Sequence, residues 1–205
     1  MKDPHWFTIK QVRKNIWGIG EFNHPEKVIS YLIVGQKKAL LWDTGLGVQN
    51  IAKVIGRITK HPITVLNSHS HYDHVGGNIL FQTFIPIKQK SIKLTPFQFK
   101  VIKTPGHSSD SVCLHEENLG YLFSGDTLYD GPIYLYLPES NIKDYKKTIN
   151  SLLLLRKITK IFPSHNSFRF SKINLTKIKK AIKDIETKTN KKNKILITNK
   201  LSLLL

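Results

Sequence analysis

The chain has 205 residues, enough for one domain with a sizeable core, and holds no apolar run long enough to span a bilayer. Its formal net charge is +18, and a single cysteine, Cys113, excludes an intramolecular disulfide and a thiolate-built zinc site. Residues 1–6 carry no apolar stretch of signal-peptide type, so the expected compartment is the cytoplasm.

The first forty residues read as β-structure, with short apolar or alternating runs at 16–22, 28–34 and 39–43 separated by turn-forming residues. Residues 48–58 place apolar side chains at 48, 51, 54, 55 and 58, which is helical spacing. A short buried strand follows at 63–67, then a polar loop, then a short helix at 78–81. Further strands are expected at 83–87, 97–103, 111–115 and 121–124. Ser140 is placed to cap a helix presenting Ile142, Tyr145, Ile149, Leu152 and Leu153, and residues 161–162 form a last strand. A further helix spans 175–187, and residues 188–205 form a Lys/Asn-rich tail after a domain of residues 1–187. Pattern alone gives a mixed α/β or α+β domain.

The chemistry concentrates in the run His69-Ser70-His71-Tyr72-Asp73-His74, four metal-ligand side chains within six residues, on the loop that leaves the strand at 63–67. Imidazole nitrogen and carboxylate oxygen are the donors that zinc and neighbouring first-row metals accept. Four more segments follow the same habit of a short polar motif beside a strand. They are Asp43-Thr44-Gly45, Thr104-Pro105-Gly106-His107-Ser108, Ser124-Gly125-Asp126-Thr127 and Pro163-Ser164-His165-Asn166. No Gly-x-Ser-x-Gly elbow offers a protein nucleophile. His5, His24, His61 and His115 lack such contexts and read as surface or structural, and Cys113 reads as a small buried hydrophobe.

These five segments, in this order, resemble the metallo-β-lactamase superfamily. The resemblance implies an α+β fold, an αββα sandwich with metals bound at one edge between two packed sheets. It implies one metal on His69, His71 and His107, a second on Asp73, His74 and His165, and Asp126 bridging both. Asp73 and Asp126 are then the catalytic carboxylates, and Asp43 orients a ligand imidazole by accepting its other N–H. Tyr72 and Tyr129 are candidates for the substrate pocket. Two divalent ions are implied, zinc by default, with iron or manganese suited to the same donors. Such ions lower the pKa of water and supply hydroxide to attack an activated acyl carbonyl.

Within the superfamily the chain is most similar to glyoxalase II-like hydrolases, in a subgroup that includes animal acyl-CoA thioesterases. The longer shared run carries this: Ser111-Val-Cys-Leu-His, Leu122-Phe-Ser-Gly-Asp, Tyr129-Asp-Gly and Leu137-Pro-Glu-Ser. The expected activity is hydrolysis of a thioester or similar acyl bond, of coenzyme A or glutathione type. The alternatives are a lactonase of the N-acyl homoserine lactone type, a metal-dependent phosphodiesterase or ribonuclease, and a basic polyanion-binding protein with a vestigial metal site. The lysines are densest at 172–200, away from the motifs, and recur with isoleucine and asparagine as A/T-rich coding would have them. The charge is therefore read chiefly as compositional, with a polyanion-binding tail as the next reading. A small acyl substrate that is anionic, such as a coenzyme A thioester, would also gain from the positive field, and nucleic acid is not the favoured partner. Only about forty residues follow His165, too few for the helical domain that helps hold glutathione in glyoxalase II. The segment between Gly77 and Thr104 is short, which opens the pocket or weakens activity.

Overall fold

In a computed structural model, which describes residues 6–187 and 194–205, strands buried almost along their whole length build the core. The first sheet runs in the order β1 (Thr8–Arg13), β2 (Ile16–Gly20), β3 (Ile29–Val34), β4 (Ala39–Trp42), β5 (Ile63–Leu66). It is antiparallel except for the β4–β5 pair, which is parallel. The second sheet contains β6 (Ser91–Leu94), β7 (Phe97–Lys103), β8 (Val112–Glu116), β9 (Tyr121–Gly125) and, past β10 (Pro132–Tyr134) in sequence, β11 (Lys160–Pro163). Its order is β11-β9-β8-β7-β6, with β11 and β9 parallel.

Alternate residues of each strand face opposite layers. Ile29, Tyr31, Ile33, Leu40, Trp42 and Leu66 of the first sheet meet Phe99, Val112, Leu114, Phe123 and Phe162 of the second. The intervening residues Leu32, Ala39, Leu41 and Val65 face outward, where Ile51, Val54 and Ile55 of α1 (Ile51–Ile58) cover them. On the far side, Cys113, Leu122 and Ile161 face Tyr145, Ile149 and Leu152 of α3 (Ile142–Leu153) and Leu175, Ile178 and Ile182 of α4 (Lys172–Thr187). The layering is helix, sheet, sheet, helices, the αββα sandwich expected. Each fully buried aliphatic or aromatic side chain in these layers contributes about 1.5–3 kcal/mol, so the strand ends are held firmly.

Several local details differ from the sequence reading. α1 starts at Ile51 because the Asn50 side chain accepts from the Lys53 N–H at 3.1 Å. The cap of α3 is Asn141, whose side chain accepts from the N–H groups of Lys143 and Asp144; Ser140 instead donates to the His107 carbonyl at 2.6 Å. Residues 83–87 make only a bridge to Val65 beside β5. β1, β6 and β10 were not foreseen. Nor were the strands of the C-terminal stretch, β12 (Lys194–Thr198) and β13 (Leu201–Leu204), which form a third sheet in the order β10-β13-β12. Leu201 and Leu203 of β13 are buried in the core beside α4, so apolar burial orders this part of the Lys-rich tail. Residues 188–193 lie outside the described residues.

Candidate metal centre

Four strands deliver the motif residues to one edge of the sandwich. β5 leads into Asn67, Ser68 and His69, and the rest of the run forms a single helical turn, α2 (Tyr72–Val75). β7, β9 and β11 point the same way in their sheet and lead into His107, Asp126 and His165. Cross-links between the layers fix the loops: Val112 N–H donates to the Ser68 carbonyl at 2.8 Å, and Ile29 N–H to that of Ser164 at 2.7 Å. The loop before His107 needs its glycine. Gly106 has φ +146°, and an added Cβ would lie 2.4 Å from Tyr145 Cα on α3.

All seven predicted donor residues converge. Among the described residues they form three overlapping groups: His69, His71 and His107; His69, His74 and Asp126; and Asp73, His74 and His165. Donor atoms within each group lie within 4.8 Å of one another. His24, His61 and His115 join none of these groups, and His5 lies outside the described residues.

The hydrogen bonds decide which nitrogen of each ring points inward. His107 Nδ1 donates to the Tyr134 carbonyl at 2.9 Å and His165 Nδ1 to the Glu26 carbonyl at 2.6 Å. A carbonyl only accepts, so each Nδ1 carries a proton and Nε2 is the nitrogen turned inward. His74 Nδ1 donates to Asp43 Oδ2 at 3.0 Å, and His71 Nε2 to Glu139 Oε1 at 2.7 Å. The inward nitrogens then face each other. His107 Nε2 is 3.1 Å from His71 Nδ1, and His165 Nε2 is 3.3 Å from His74 Nε2. Facing lone pairs repel unless a cation lies between them. Two nitrogens sharing a tetrahedral zinc at its usual bond length stand about 3.3 Å apart.

Further observations agree. His69 Nε2 and Asp126 Oδ1 are buried without a hydrogen-bond partner among the described residues. Asp126 Oδ2 lies 3.1 Å from His165 Nε2 and 3.6 Å from His107 Nε2, between the two halves of the cluster. Asp73 Oδ2 is 3.5 Å from both His74 Nε2 and His165 Nε2. The donor set of imidazole and carboxylate therefore fits one or more divalent cations.

The electrostatics show the same demand for positive charge. Burial pushes His69 well below the ordinary imidazole range and lowers His107. Burial acts likewise on His74 and His165, but the Asp126 carboxylate outweighs it, joined by Asp43 at His74, and both rings are raised. Burial raises the Asp126 carboxyl, but His165 and His74 overcome it and hold it well below the usual range. Buried carboxylates need compensating cations, whether protons or metal.

Asp43 sits below the cluster, fully buried, with φ +61°. It accepts from Ser68 N–H at 2.6 Å, His74 Nδ1 at 3.0 Å and the Ser164 hydroxyl at 3.0 Å, tying three of the site's loops together. Above the cluster opens a cavity of about 530 Å³. Tyr72 and Tyr129 line it as anticipated, along with Tyr134, Tyr136, Leu137, Glu26 and Glu139, which sequence reasoning had not singled out as site residues. Tyr129 Oη donates to the Pro132 carbonyl, and its ring lies 5.1 Å from that of His165. Tyr129 therefore offers a ring face. The exposed Tyr72 donates to Glu26 Oε1 at 3.0 Å.

The fold and site define a metallo-hydrolase class, and sequence comparison agrees. The model of the metallo-beta-lactamase superfamily matches residues 25–96 and 86–165, and the chain belongs to this superfamily of metal-dependent hydrolases. Among its curated relatives is the human acyl-coenzyme A thioesterase MBLAC2, 24% identical over an alignment of 235 residues covering 82% of this chain and 84% of that protein. Another is the hydroxyacylglutathione hydrolase of Legionella pneumophila (strain Paris), 31% identical over 127 residues, 50% of this chain and 47% of that protein. Among solved structures, the metallo-beta-lactamase from Pontibacter korlensis superposes with a TM-score of 0.72 at 16% identity, covering 87% of this chain and 99% of that one. That likeness concerns the fold.

Proposed function

We propose that the chain is a dinuclear metal hydrolase that cleaves the thioester of a small acyl substrate. One ion is held by His69, His71 and His107, the other by Asp73, His74 and His165, with Asp126 between them. The observation that carries this reading is the pair of inward-facing imidazole nitrogen contacts at 3.1 and 3.3 Å, in two separate sets joined by one carboxylate. Zinc is the default ion for such donors; iron and manganese suit them too. When bound, the ions supply Lewis acidity and a water of lowered pKa.

The chain's own residues do the rest. The outer hydrogen bonds of His71, His74, His107 and His165 hold each ring in one tautomer and one orientation. Asp73, beside the cavity, is placed to accept a proton from an attacking water. The rings of Tyr129 and Tyr134 give the cavity an apolar wall against which an acyl group can lie. Thioesters are favoured by the relatives that act on acyl-coenzyme A and hydroxyacylglutathione. Phosphodiesters are disfavoured by the carboxylates of Glu26 and Glu139 in the cavity wall, with no lysine or arginine among the described residues that line it.

Metal analysis of the zinc-reconstituted protein tests the reading. Two ions per chain are expected, and Asp126→Asn or His71→Ala should lose metal and thioesterase activity together. One ion in fully active protein refutes the dinuclear arrangement, and full activity with unchanged metal content in either variant refutes the site.

A further inference from the structure

The cavity above the donor cluster poses a problem of charge. In a chain of net charge +18, its walls bring the carboxylates of Glu26 and Glu139, and none of the described residues lining it is a lysine or arginine. A polyanionic thiol part, such as that of coenzyme A, is repelled there. Directly beside it lies a second cleft of about 430 Å³ with the opposite character. Lys10 of β1 and Arg169 supply two cations, and Phe22 and Phe168 supply an aromatic floor. The two hollows share one wall residue, Asn166, the neighbour in sequence of His165.

The cleft is built on fixed parts. The rings of Phe22 and Phe168 meet edge to face, with centroids 5.2 Å apart. Phe168 lies against Gly18 of β2, where an added Cβ would come within 2.5 Å of the ring. The Lys10 ammonium stands 6.0 Å from the Phe168 ring centroid. Asn166 is pinned by its N–H to the Lys27 carbonyl at 3.0 Å and by its side-chain amide to the Asp130 carbonyl at 2.7 Å. A ligand whose carbonyl lies at His165 can therefore pass over one rigid residue and reach the cations.

We propose that this cleft binds the phosphorylated nucleotide end of a coenzyme A thioester while the acyl group occupies the neighbouring cavity. The assignment rests on the thioester reading above. Cations pair with phosphate oxygens by charge-assisted hydrogen bonds, and an aromatic floor receives a purine face. A shorter thiol part without phosphates would gain nothing from either feature.

The test compares one acyl group carried on coenzyme A, on glutathione and on N-acetylcysteamine, in the metal-loaded wild type and in the Lys10→Ala/Arg169→Ala double variant. Both side chains are exposed and outside the donor cluster, so the variant should fold and hold metal as the wild type does. The proposal expects KM for the coenzyme A thioester to rise on the order of tenfold with kcat unchanged, and KM for the N-acetylcysteamine thioester to stay the same. Equal changes on both substrates, no change on either, or a change confined to the glutathione thioester overturns it. Calorimetric binding of adenosine 3′,5′-bisphosphate gives a readout independent of turnover. Binding that the double variant loses supports the cleft even if no thioester is cleaved, in which case it is the thioester reading that fails. Absence of binding in the wild type overturns the cleft and leaves that reading standing.

Discussion

Replacing Asp43 by Asn isolates the contribution of a single proton position beneath the candidate metal centre. Asparagine tolerates the left-handed backbone at φ +61°, so the substitution leaves the chain path alone. Its amide oxygen can keep the Ser68 N–H, but its NH₂ then faces His74 Nδ1 and the Ser164 hydroxyl. The hydroxyl can rotate and accept. His74 cannot accept on Nδ1 without moving its proton to Nε2, the atom that faces His165 at 3.3 Å and Asp126 at 3.3 Å. A proton there removes a metal-binding lone pair. Losing such an outer partner costs on the order of 10–100-fold in metal affinity, about 1.4–2.7 kcal/mol. The metal-free protein also loses a hydrogen bond to a carboxylate, roughly 1.5–3 kcal/mol, which in a chain of this size lowers Tm by about 3–12 °C. Competition for zinc against a chromophoric chelator reads the first effect, and thermal melting of metal-free protein reads the second. Zinc affinity within twofold of wild type would refute the claim that Asp43 fixes the His74 tautomer.

Three further outcomes are expected. Glu139→Ala removes the exposed acceptor of His71 Nε2, so metal affinity should fall several-fold while Tm stays within about 1 °C; a large loss of Tm would show that Glu139 supports the fold. Gly106→Ala places a Cβ against the backbone of α3, and should lower Tm and disturb His107 together; a variant with normal Tm and metal content contradicts the close approach. Cys113 is fully buried, and burial pushes its thiol up to about 11, so native protein should not react with a disulfide reagent at pH 8 and should react once unfolded. Reaction of the native protein would contradict that placement, and would also add a background to any assay of released thiol.

The residues that converge at the candidate site were legible because each sits in a short local motif at a strand end, and the run from His69 to His74 holds four of them. The αββα layering was legible through the resemblance, and the near-continuous burial of residues 29–34 and 39–42 fits strands covered on both faces. What escaped the sequence has physical reasons. β1 reads TIKQVR and is mostly exposed, so it lacks an apolar signature. β13 pairs in parallel with β10, seventy residues away, so its order comes from packing that no local window contains. The outer partners of His107 and His165 are backbone carbonyls of Tyr134 and Glu26, which any residue could supply. Glu139 did leave a trace, as part of the Leu137-Pro-Glu-Ser element noted for its resemblance and not connected there with His71.

The most direct measurement is thiol release by zinc-reconstituted protein from a panel of acyl-coenzyme A thioesters and lactoylglutathione, with Asp126→Asn as control. Metal-dependent release that the control lacks is the predicted result, and the preferred acyl and thiol parts then define the substrate. No thiol release from fully metal-loaded protein contradicts the thioesterase assignment and leaves lactones as the substrates to assay next.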